Sequence, residues 1–195
     1  MEKDLEKIRR DIVFNAQIGG EEFTLHSTWG LFSPTEIDEG SKLLLDHTDI
    51  KPDSLTLDIG CGYGALGIPL ARRSPLGTMH MIDKDFVAIE YSKKNATINH
   101  IKNCESYLSN GFSNVPDIKF DLIVSNLPAK VGREFFWLLL HDAKAHLKPG
   151  GEMYVVTISG LREFIKRNFN EVFGNYEKVK QGKNYTVLKA TKEIR

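Results

Sequence analysis

The sequence predicts an α/β fold built on a doubly wound sheet of seven strands, mostly parallel, with one antiparallel strand near the C-terminus. Strand patterns alternate with helical patterns along most of the chain, as in parallel sheets joined by crossover helices. The strand pattern at 55–59 runs into a glycine-rich turn and then a helix. Two last strand patterns, at 176–180 and 185–190, follow each other without a helix and must add an antiparallel strand.

Each element has its own signal. Gly19 and Gly20 are expected to end a charged N-terminal helix, and Pro75 to end the third helix. Pro69 is tolerated in that third helix only if the helix begins late. Helical spacing predicts helices over 1–17, 37–45, 66–73, 86–98, 135–147 and 161–173, and apolar runs predict strands over 23–29, 55–59, 78–82, 106–108, 120–124, 153–157, 176–180 and 185–190.

The composition is that of a globular protein. The 195 residues are 41% hydrophobic and 27% charged, which allows one domain with a substantial core. No apolar run is long enough to cross a membrane, and the charged first residues do not resemble a signal peptide. Cys61 and Cys104 are isolated, which favours a cytoplasmic location. We expect a single domain over 1–195, with an N-terminal helix and strand extension over 1–50 and the α/β core over 51–195.

The turn after the strand at 55–59 is the strongest candidate for a ligand site. Gly60, Gly62 and Gly64 crowd five residues there, and a helical run follows directly. The missing side chains let a ligand approach the backbone closely, and the first N–H groups of a helix favour a negatively charged group. The pattern therefore predicts a cofactor site.

Two cofactors fit this turn. The spacing Gly62-x-Gly64-x-x-Gly67, with an acid about 20 residues from the turn, is that of a dinucleotide site. However, Asp58 lies inside the strand directly before the turn. A carboxylate there gives a pyrophosphate no favourable interaction, whereas it can pair with the ammonium group of a ligand. With Gly60 directly after the strand, the pattern resembles motif I of class I S-adenosylmethionine-dependent methyltransferases.

A second candidate site is Asn126-Leu127-Pro128, after the strand at 120–124. Methyl transfer from a sulfonium depends mainly on aligning the nucleophile with the methyl group and sulfur. The side-chain carbonyl of Asn126 and the backbone carbonyl of Leu127 can accept both N–H bonds of an aryl amine and stabilise its developing positive charge. Pro128 would make the loop rigid. The alternative is an ordinary turn after a strand.

Two other strand ends carry polar residues at the edge where a doubly wound sheet binds its ligand. Asp83 can accept two hydrogen bonds from a ribose diol, or it can cap the next helix. Asn110 and Gly111 lie where many class I methyltransferases carry an acid against the adenine amino group, and Asn110 can accept there or serve only as a turn residue.

The wider resemblance, over roughly residues 22–190, is to the methyltransferase small-domain family, which includes ribosomal small-subunit RNA guanine-N2 methyltransferases. It implies a Rossmann-like sheet, S-adenosylmethionine as cofactor and RNA guanine N2 as the first candidate substrate. The segments that carry it are Gly30-Leu31-Phe32-Ser33, Asp38-x-Gly40, 43–45, 57–64, Asp83, Asn95 with Asn99, 121–126, 147–151 and 185–190. The candidate cofactor-binding residues are Phe32, Thr35, Asp58, Gly60, Cys61, Gly62, Gly64, Asp83, Lys84, Asn110, Gly111 and Asn126, and the candidate catalytic residues are Asn126, Leu127 and Pro128.

The chain departs from the family pattern in the second site. The amino-methyltransferases usually have Asn-Pro-Pro followed by Phe or Tyr, whereas this chain has Leu127 and Ala129 in the second and fourth places. The aromatic ring on which a flipped base would stack is missing. Trp29, Phe135 or Trp137 could replace it, although we expect each of them in the core. A protein amide, a small-molecule amine and a non-catalytic cofactor-binding role stay open as alternatives, and a nicotinamide-dependent oxidoreductase is a remote one.

The charge is unevenly distributed, although the net charge is zero. Residues 161–195 carry nine Lys or Arg and four Asp or Glu, whereas residues 1–50 carry five and eleven. The basic C-terminal face can contact RNA phosphates or simply be solvated. The ribosomal enzymes tend to carry an additional N-terminal domain that this sequence does not show, so we expect RNA recognition from the basic face or from a partner protein. The six histidines show no metal-ligand spacing, and no metal is predicted.

Overall fold

The computed structural model describes residues 2–128 and 132–194. Within these residues there are six α-helices and nine β-strands, with a short 3₁₀ turn at Ser159–Leu161. The helices are α1 (Glu2–Arg9), α2 (Glu39–His47), α3 (Gly67–Arg73), α4 (Phe86–Ile98), α5 (Arg133–His146) and α6 (Arg162–Phe173). The strands are β1 (Ile12–Ile18), β2 (Glu21–Ser27), β3 (Leu55–Ile59), β4 (Thr78–Asp83), β5 (Cys104–Leu108), β6 (Phe120–Asn126), β7 (Leu147–Ile158), β8 (Glu177–Gln181) and β9 (Tyr185–Thr191).

Seven strands form one sheet in the order β5-β4-β3-β6-β7-β9-β8. Strand β9 pairs antiparallel with both β7 and β8, while the pairs from β5 to β7 are parallel. The predicted seven-stranded, Rossmann-like sheet with one antiparallel strand is therefore confirmed. The chain builds outward from β3 to β5 on one side and from β6 on the other, so the switch point lies between β3 and β6.

Side chains of alternate residues in the central strands point to opposite faces of the sheet, and each face is covered by an apolar layer. Leu57 and Ile59 of β3 face a layer with α5 and α6, which contribute Phe136 and Phe169. Met79 and Met81 of β4 face a second layer, in which α2, α3 and α4 pack with the N-terminal hairpin. Because both faces are covered, ligands can reach the sheet only at its ends.

The predicted helix over residues 1–17 is wrong beyond Arg9, because residues 12–18 form strand β1. Strands β1 and β2 are an antiparallel hairpin in which Ile18 pairs with Glu21. Gly19 and Gly20 form its two-residue turn with φ of 60° and 84°, rather than ending a helix. Positive φ at both positions is the geometry of a type I′ hairpin turn.

The start of α2 also differs from the prediction. Ile37 is buried but precedes the helix, and Asp38 is the N-cap whose side chain accepts a hydrogen bond from Ser41 N–H. Helix α3 begins at Gly67, so Pro69 occupies its third position, where its missing N–H costs no helical hydrogen bond. The other boundaries agree with the predictions to within a few residues, apart from β7, which begins six residues early.

Two buried amides, Asn95 in α4 and Asn99 at its C-cap, hold the hairpin against this helix. Asn95 accepts from the backbone N–H of His26 at 2.7 Å and donates to its carbonyl at 2.8 Å. Asn99 makes the same pair of contacts with Thr24, at 3.0 and 2.8 Å. Each amide thus satisfies the backbone of β2 as a neighbouring strand would.

A charged cluster makes a second attachment of the hairpin to α4. The Asp11 carboxylate lies 2.8 Å from His26 Nδ1, accepts from the Tyr91 hydroxyl at 2.8 Å and pairs with Lys94. The Lys94 contact in particular lowers the pKa of Asp11 to about 2. These contacts join residues before residue 50 to residues after it. The division of the chain into an N-terminal extension over 1–50 and an α/β core over 51–195 stays a prediction. None of the helices in residues 2–128 and 132–194 is long and apolar enough to span a membrane.

Candidate functional site

The bend after β3 depends on its glycines. Gly60, Gly62 and Gly64 all have positive φ, at 73°, 54° and 92°. A methyl group on Gly64 would lie 2.6 Å from Ile68 Cδ1. The backbone N–H of Gly60 donates to the Ile82 carbonyl at 2.8 Å, which holds the bend against the end of β4. Side chains other than hydrogen would therefore strain the bend, and at Gly64 they would also clash.

The start of α3 offers no free N–H group to a phosphate at its first three positions, all of which the structure describes. Gly67 donates to Asp58 Oδ2 at 2.9 Å, and Ile68 donates to the Gly64 carbonyl at 3.1 Å. Pro69 has no N–H. The first three positions of α3 therefore do not supply the free N–H groups that the sequence led us to expect for an anion.

Asp58 lies beneath the bend and is fully buried. Its Oδ2 accepts from Gly67, while its Oδ1 has no hydrogen-bond partner among the described residues. Burial raises the pKa of the Asp58 carboxyl to about 7; the Gly67 N–H opposes this shift and the nearby Asp83 adds to it. A buried, half-satisfied carboxylate fits a positively charged group of a ligand, such as an ammonium.

Asp83 ends β4 and braces the bend from the neighbouring strand. Its Oδ2 accepts from the Gly62 N–H and its Oδ1 from the Asp85 N–H, both at 3.0 Å. The side-chain cap of α4 is Asp85, which accepts from the Val87 N–H at 2.8 Å, so capping is not the role of Asp83. Each Asp83 oxygen keeps a lone pair for a ribose hydroxyl. The adjacent Lys84 is exposed.

Asn110 and Gly111 form a turn after β5. The Asn110 N–H donates to Ser113 Oγ at 3.1 Å, and its side chain is exposed. Gly111 has φ of 58°, and the Phe135 ring of α5 lies 3.7 Å from where a Cβ of Gly111 would be. This places an aromatic ring beside the residues predicted to hold adenine.

Asn126 ends β6, and its amide nitrogen has three acceptors. Its Nδ2 donates to Asp38 Oδ1 and Oδ2 at 3.2 and 3.1 Å and to Ser41 Oγ at 2.9 Å. Because an ionised carboxylate only accepts hydrogen bonds, the nitrogen must face Asp38. The Asn126 Oδ1 then points the other way, and among the described residues nothing donates to it.

The rest of the predicted catalytic loop is held by the strands beside it. Ser125 donates its hydroxyl to the Ile59 carbonyl of β3 at 2.8 Å, and the Leu127 N–H donates to Val156 of β7 at 3.0 Å. The Leu127 side chain is buried and Pro128 is exposed. Ala129, where the family pattern has an aromatic residue, lies outside the described residues.

Phe32 and Thr35 are exposed on the segment between β2 and α2. The hydroxyl of the buried Tyr63, from the glycine bend, lies 3.2 Å from the Ser33 carbonyl and 3.1 Å from that of Glu36. The bend and this segment are therefore fixed relative to each other, as residues sharing one pocket must be.

Two expectations for single residues need qualification or correction. The Cys61 thiol is buried in the core and burial raises its pKa, so its side chain does not line the surface of the bend. Trp29, Phe135 and Trp137 are 56%, 42% and 42% exposed, so the expectation that each packs in the core is wrong. On α5 that role falls to neighbours such as Phe136.

The strand order brings the predicted residues to one edge. Strand β3 lies between β4 and β6, so the bend, Asp83 and Asn126 follow three adjacent strands. Three positioning residues were not assigned a role from the sequence: Asp38, Ser41 and Tyr63. A signal for Asp38 was present, since aspartate is a preferred N-cap residue and Asp38 lies at the start of the helix predicted over 37–45.

A sheet of this order, with its one antiparallel strand and a glycine-rich bend after the central strand, is that of a class I methyltransferase. The chain belongs to the methyltransferase small domain family, whose model matches residues 22–189. It is an S-adenosylmethionine-dependent methyltransferase domain, and the dinucleotide alternative is set aside.

Similar proteins support this assignment. The chain is 35% identical over 180 residues to the Bacillus subtilis protein YbxB, covering 90% of this chain and 89% of that protein. It is 36% identical over 166 residues to ribosomal RNA small subunit methyltransferase C of Hamiltonella defensa, covering 83% and 48%. The solved T. thermophilus 16S rRNA N2 G1207 methyltransferase (RsmC), in complex with AdoMet and guanosine, has a TM-score of 0.83 and 30% identity over 93% of this chain and 50% of that one. The chain spans about half the length of these two RNA methyltransferases.

Proposed function

We propose that this chain methylates an exocyclic amine of a nucleic acid base, with N2 of guanine in ribosomal RNA as the first candidate. The orientation of the Asn126 amide carries the proposal, since no group among residues 2–128 and 132–194 donates to its oxygen at the end of β6. Relatives named as small-subunit ribosomal RNA methyltransferases support the RNA class. The guanosine named with the T. thermophilus structure supports the base.

Methyl transfer to an amine requires little of this site except hydrogen-bond acceptors in fixed positions. S-adenosylmethionine, when bound, would supply the electrophilic methyl group, and its sulfur would keep the electron pair of the broken S–CH₃ bond and leave as a neutral thioether. Asn126 Oδ1 and the Leu127 carbonyl accept the two N–H bonds of the amine, which turns the nitrogen lone pair toward the methyl carbon. The same two oxygens stabilise the positive charge that grows on the nitrogen, and Pro128 keeps the Leu127 carbonyl in place. The extra proton leaves to water after transfer.

We place the cofactor across the carboxyl ends of β5, β4, β3 and β6. The buried Asp58 oxygen and the bend at 60–64 take the amino-acid end, and Asp83 accepts from the ribose hydroxyls. The adenine lies by Asn110 and Gly111 with Phe135 beside it. Phe32, Thr35, Lys84 and the backbone of Cys61 complete the wall, with Asn126 at the methyl end.

We propose that the basic C-terminal face meets RNA at the carboxyl ends of the strands. Tyr185 pairs with Ile158, so the turn before β9 lies beside the carboxyl end of β7. Lys180 and Lys183 are exposed around this turn. Arg162, at the start of α6, donates to Gln181 at 3.1 Å, next to them. We propose that these cations contact RNA phosphates, either alone or with a partner protein. Such a substrate is met in the cytoplasm.

Transfer of labelled methyl groups tests the proposal. The protein and its Asn126→Ala variant are incubated with labelled S-adenosylmethionine and, separately, with protein-free small-subunit ribosomal RNA, small ribosomal subunits, total protein and a small-molecule extract. Label in RNA, recovered after digestion as N2-methylguanosine and about 10²-fold slower in the variant, is expected. Label only in protein or in small molecules would assign the site to an amide or an amine instead. Binding of the cofactor without transfer into any pool would make the chain a non-catalytic binder.

A further inference from the structure

We propose that Asp38 is a positioning residue for methyl transfer: it fixes the direction of the Asn126 amide, so that the carbonyl oxygen faces the incoming amine. This inference rests on the proposed function of Asn126. It gives a role to the Asp38-x-Gly40 segment, which the sequence singles out and which the cofactor site does not use.

The orientation of an asparagine amide is set by the hydrogen-bonding groups around it. Its oxygen and nitrogen have the same shape but opposite hydrogen-bonding roles, so only the surroundings decide which of them faces a substrate. At Asn126 three acceptors converge on one NH₂ group, namely both carboxylate oxygens of Asp38 and the hydroxyl oxygen of Ser41, at 2.9–3.2 Å. A flipped amide would place its carbonyl oxygen about 3 Å from a carboxylate, with repulsion in place of a charge-assisted bond.

The carboxylate is itself held in place. Asp38 Oδ1 accepts from the backbone N–H of Ser41 at 3.1 Å, and its carbonyl accepts from the Lys42 N–H at 3.0 Å, so it is built into the first turn of α2. Gly40 lets that turn sit under the Tyr185 ring, because a Cβ there would lie 2.7 Å from Tyr185 Cδ1. Helix α2 is thereby docked on β9, and Asp38 has a fixed position opposite the end of β6.

Substitution of Asp38 by Asn separates this role from simple helix capping. Asparagine is as good an N-cap as aspartate, so its oxygen will keep the bond to the Ser41 N–H. Its nitrogen then takes the place of Oδ2, 3.1 Å from the Asn126 nitrogen, where two donors would face each other. Flipping of Asn126 relieves this conflict, and Ser41 can follow because a hydroxyl both donates and accepts. Without the second carboxylate oxygen the amide is no longer held in one direction, so D38N is expected to misplace the Asn126 carbonyl while the fold is kept.

The test compares D38N, D38A, N126D and the double variant D38N/N126D with the natural protein. The measurements are turnover on protein-free small-subunit ribosomal RNA, the Kd of S-adenosylmethionine by calorimetry, and Tm. D38N is expected to lower kcat by about 10- to 100-fold, the range for misplacing one preorganised polar group, while Kd changes less than about threefold and Tm by no more than about 2 °C. D38A is expected to lower kcat to a similar extent and also to lower Tm by several degrees, because it loses the cap.

The double variant supplies a rescue that a capping role does not predict. N126D alone places two carboxylates about 3 Å apart and should be nearly inactive. Adding D38N gives the carboxylate introduced at position 126 a donor on one oxygen and leaves the other oxygen free to accept from the amine. The kcat of the double variant is therefore expected to rise about tenfold or more over that of N126D. Additive losses would instead mean that Asp38 and Asn126 act independently.

A spectroscopic readout does not need turnover. The ¹⁵N side-chain amide signal of Asn126, identified by its disappearance in N126D, should be protected from hydrogen exchange in the natural protein. It should move and lose this protection in D38N but not in a distant variant such as D117N. A D38N protein with natural kcat and an unmoved Asn126 signal would overturn the proposal. Natural turnover in N126A would instead overturn the proposed function of Asn126 itself.

Discussion

The buried carboxyl of Asp58 predicts how stability changes with pH in the cofactor-free protein. An aspartate ionises near pH 3.8 in the unfolded chain, whereas in the folded protein burial raises the pKa of Asp58 to about 7. Between these two values the folded state binds the additional proton. The stability from this group is therefore fully present below pH 4 and is lost as pH rises through 7. The shift corresponds to about 4 kcal/mol at most.

Substitution of Asp58 by Asn should remove this dependence. Asparagine keeps an acceptor oxygen for the Gly67 N–H but does not titrate. Tm measured without cofactor from pH 5 to pH 8.5 should fall in the natural protein and stay nearly level in the variant. D117N is the matched control: Asp117 is exposed and Lys119 lowers the pKa of its carboxyl, so it titrates below this range and its variant should keep the natural slope.

The same proton should be displaced by the cofactor. If the ammonium of S-adenosylmethionine lies by Asp58, binding must ionise the carboxyl, and at pH 7 about half a proton should be released per molecule bound. Calorimetry in two buffers of different ionisation enthalpy measures this release. D58N should release none and should bind at least about tenfold more weakly, since it loses a charged partner. Equal pH slopes for both proteins, together with binding that releases no proton, would refute the reasoning.

Three further predictions concern the bend, the ribose site and the basic face. Asp83→Ala should weaken S-adenosylmethionine binding by about 1.5–3 kcal/mol in calorimetry, the cost of its charge-assisted bonds, and unchanged affinity would reject the ribose role. Gly64→Ala should cost about 3 kcal/mol in urea unfolding, because it adds a 2.6 Å contact with Ile68 to the strain of positive φ. Gly20→Ala, with positive φ but open space around it, should cost only about 1 kcal/mol, and equal losses would contradict the packing explanation. The double variant Lys180→Glu, Lys183→Glu should reduce the slope of log K for RNA binding against log salt by the amount expected for about two phosphate contacts. The control variant Lys51→Glu, Lys102→Glu changes two exposed residues at the amino ends of the strands and should leave the slope unchanged.

Sequence patterns correctly predicted those elements whose structure depends on interactions between nearby residues. Helix α4 spans Phe86–Ile98 as its apolar spacing predicts, and it begins after Asp85, whose carboxylate accepts from Val87. The glycine bend was also readable, since glycine is the residue that reaches φ of 54–92° without cost. These features depend on residues within a few positions of each other.

The N-terminal error shows where local spacing is ambiguous. Leu5, Ile8, Ile12 and Val13 fit a helical face, so the spacing favoured one helix as far as residue 17. The same Ile12 and Val13 are β-branched and begin an alternating pattern, and two consecutive glycines suit a type I′ turn as well as a helix end. Pairing with β2 decided between these alternatives, and the contacts of β2 with Asn95 and Asn99 reinforce that pairing.

The candidate site around Asn126 could be predicted only in part, because its polar contacts join distant parts of the chain. Asn126 was identified from its loop, but its partner Asp38 is 88 residues away, and no spacing rule connects them. Tyr63 likewise meets the carbonyls of Ser33 and Glu36 across about 30 residues. The sequence can identify which residues carry chemistry, whereas the direction in which each side chain points is decided by tertiary hydrogen bonds.

The family match begins at residue 22, so it includes the residues before β3 that hold this candidate site together. A parallel sheet alone would supply Asp58, the bend, Asp83 and Asn126. It would not supply the acceptors for the Asn126 amide, which come from α2, nor those for Tyr63, which come from the segment before it. Asn95 then donates to both the Tyr63 carbonyl and the His26 carbonyl, so that one amide joins β2 to the bend. The residues before β3 are therefore part of the candidate site, and we expect a chain begun at residue 51 to lose the direction of the Asn126 amide before it loses its sheet.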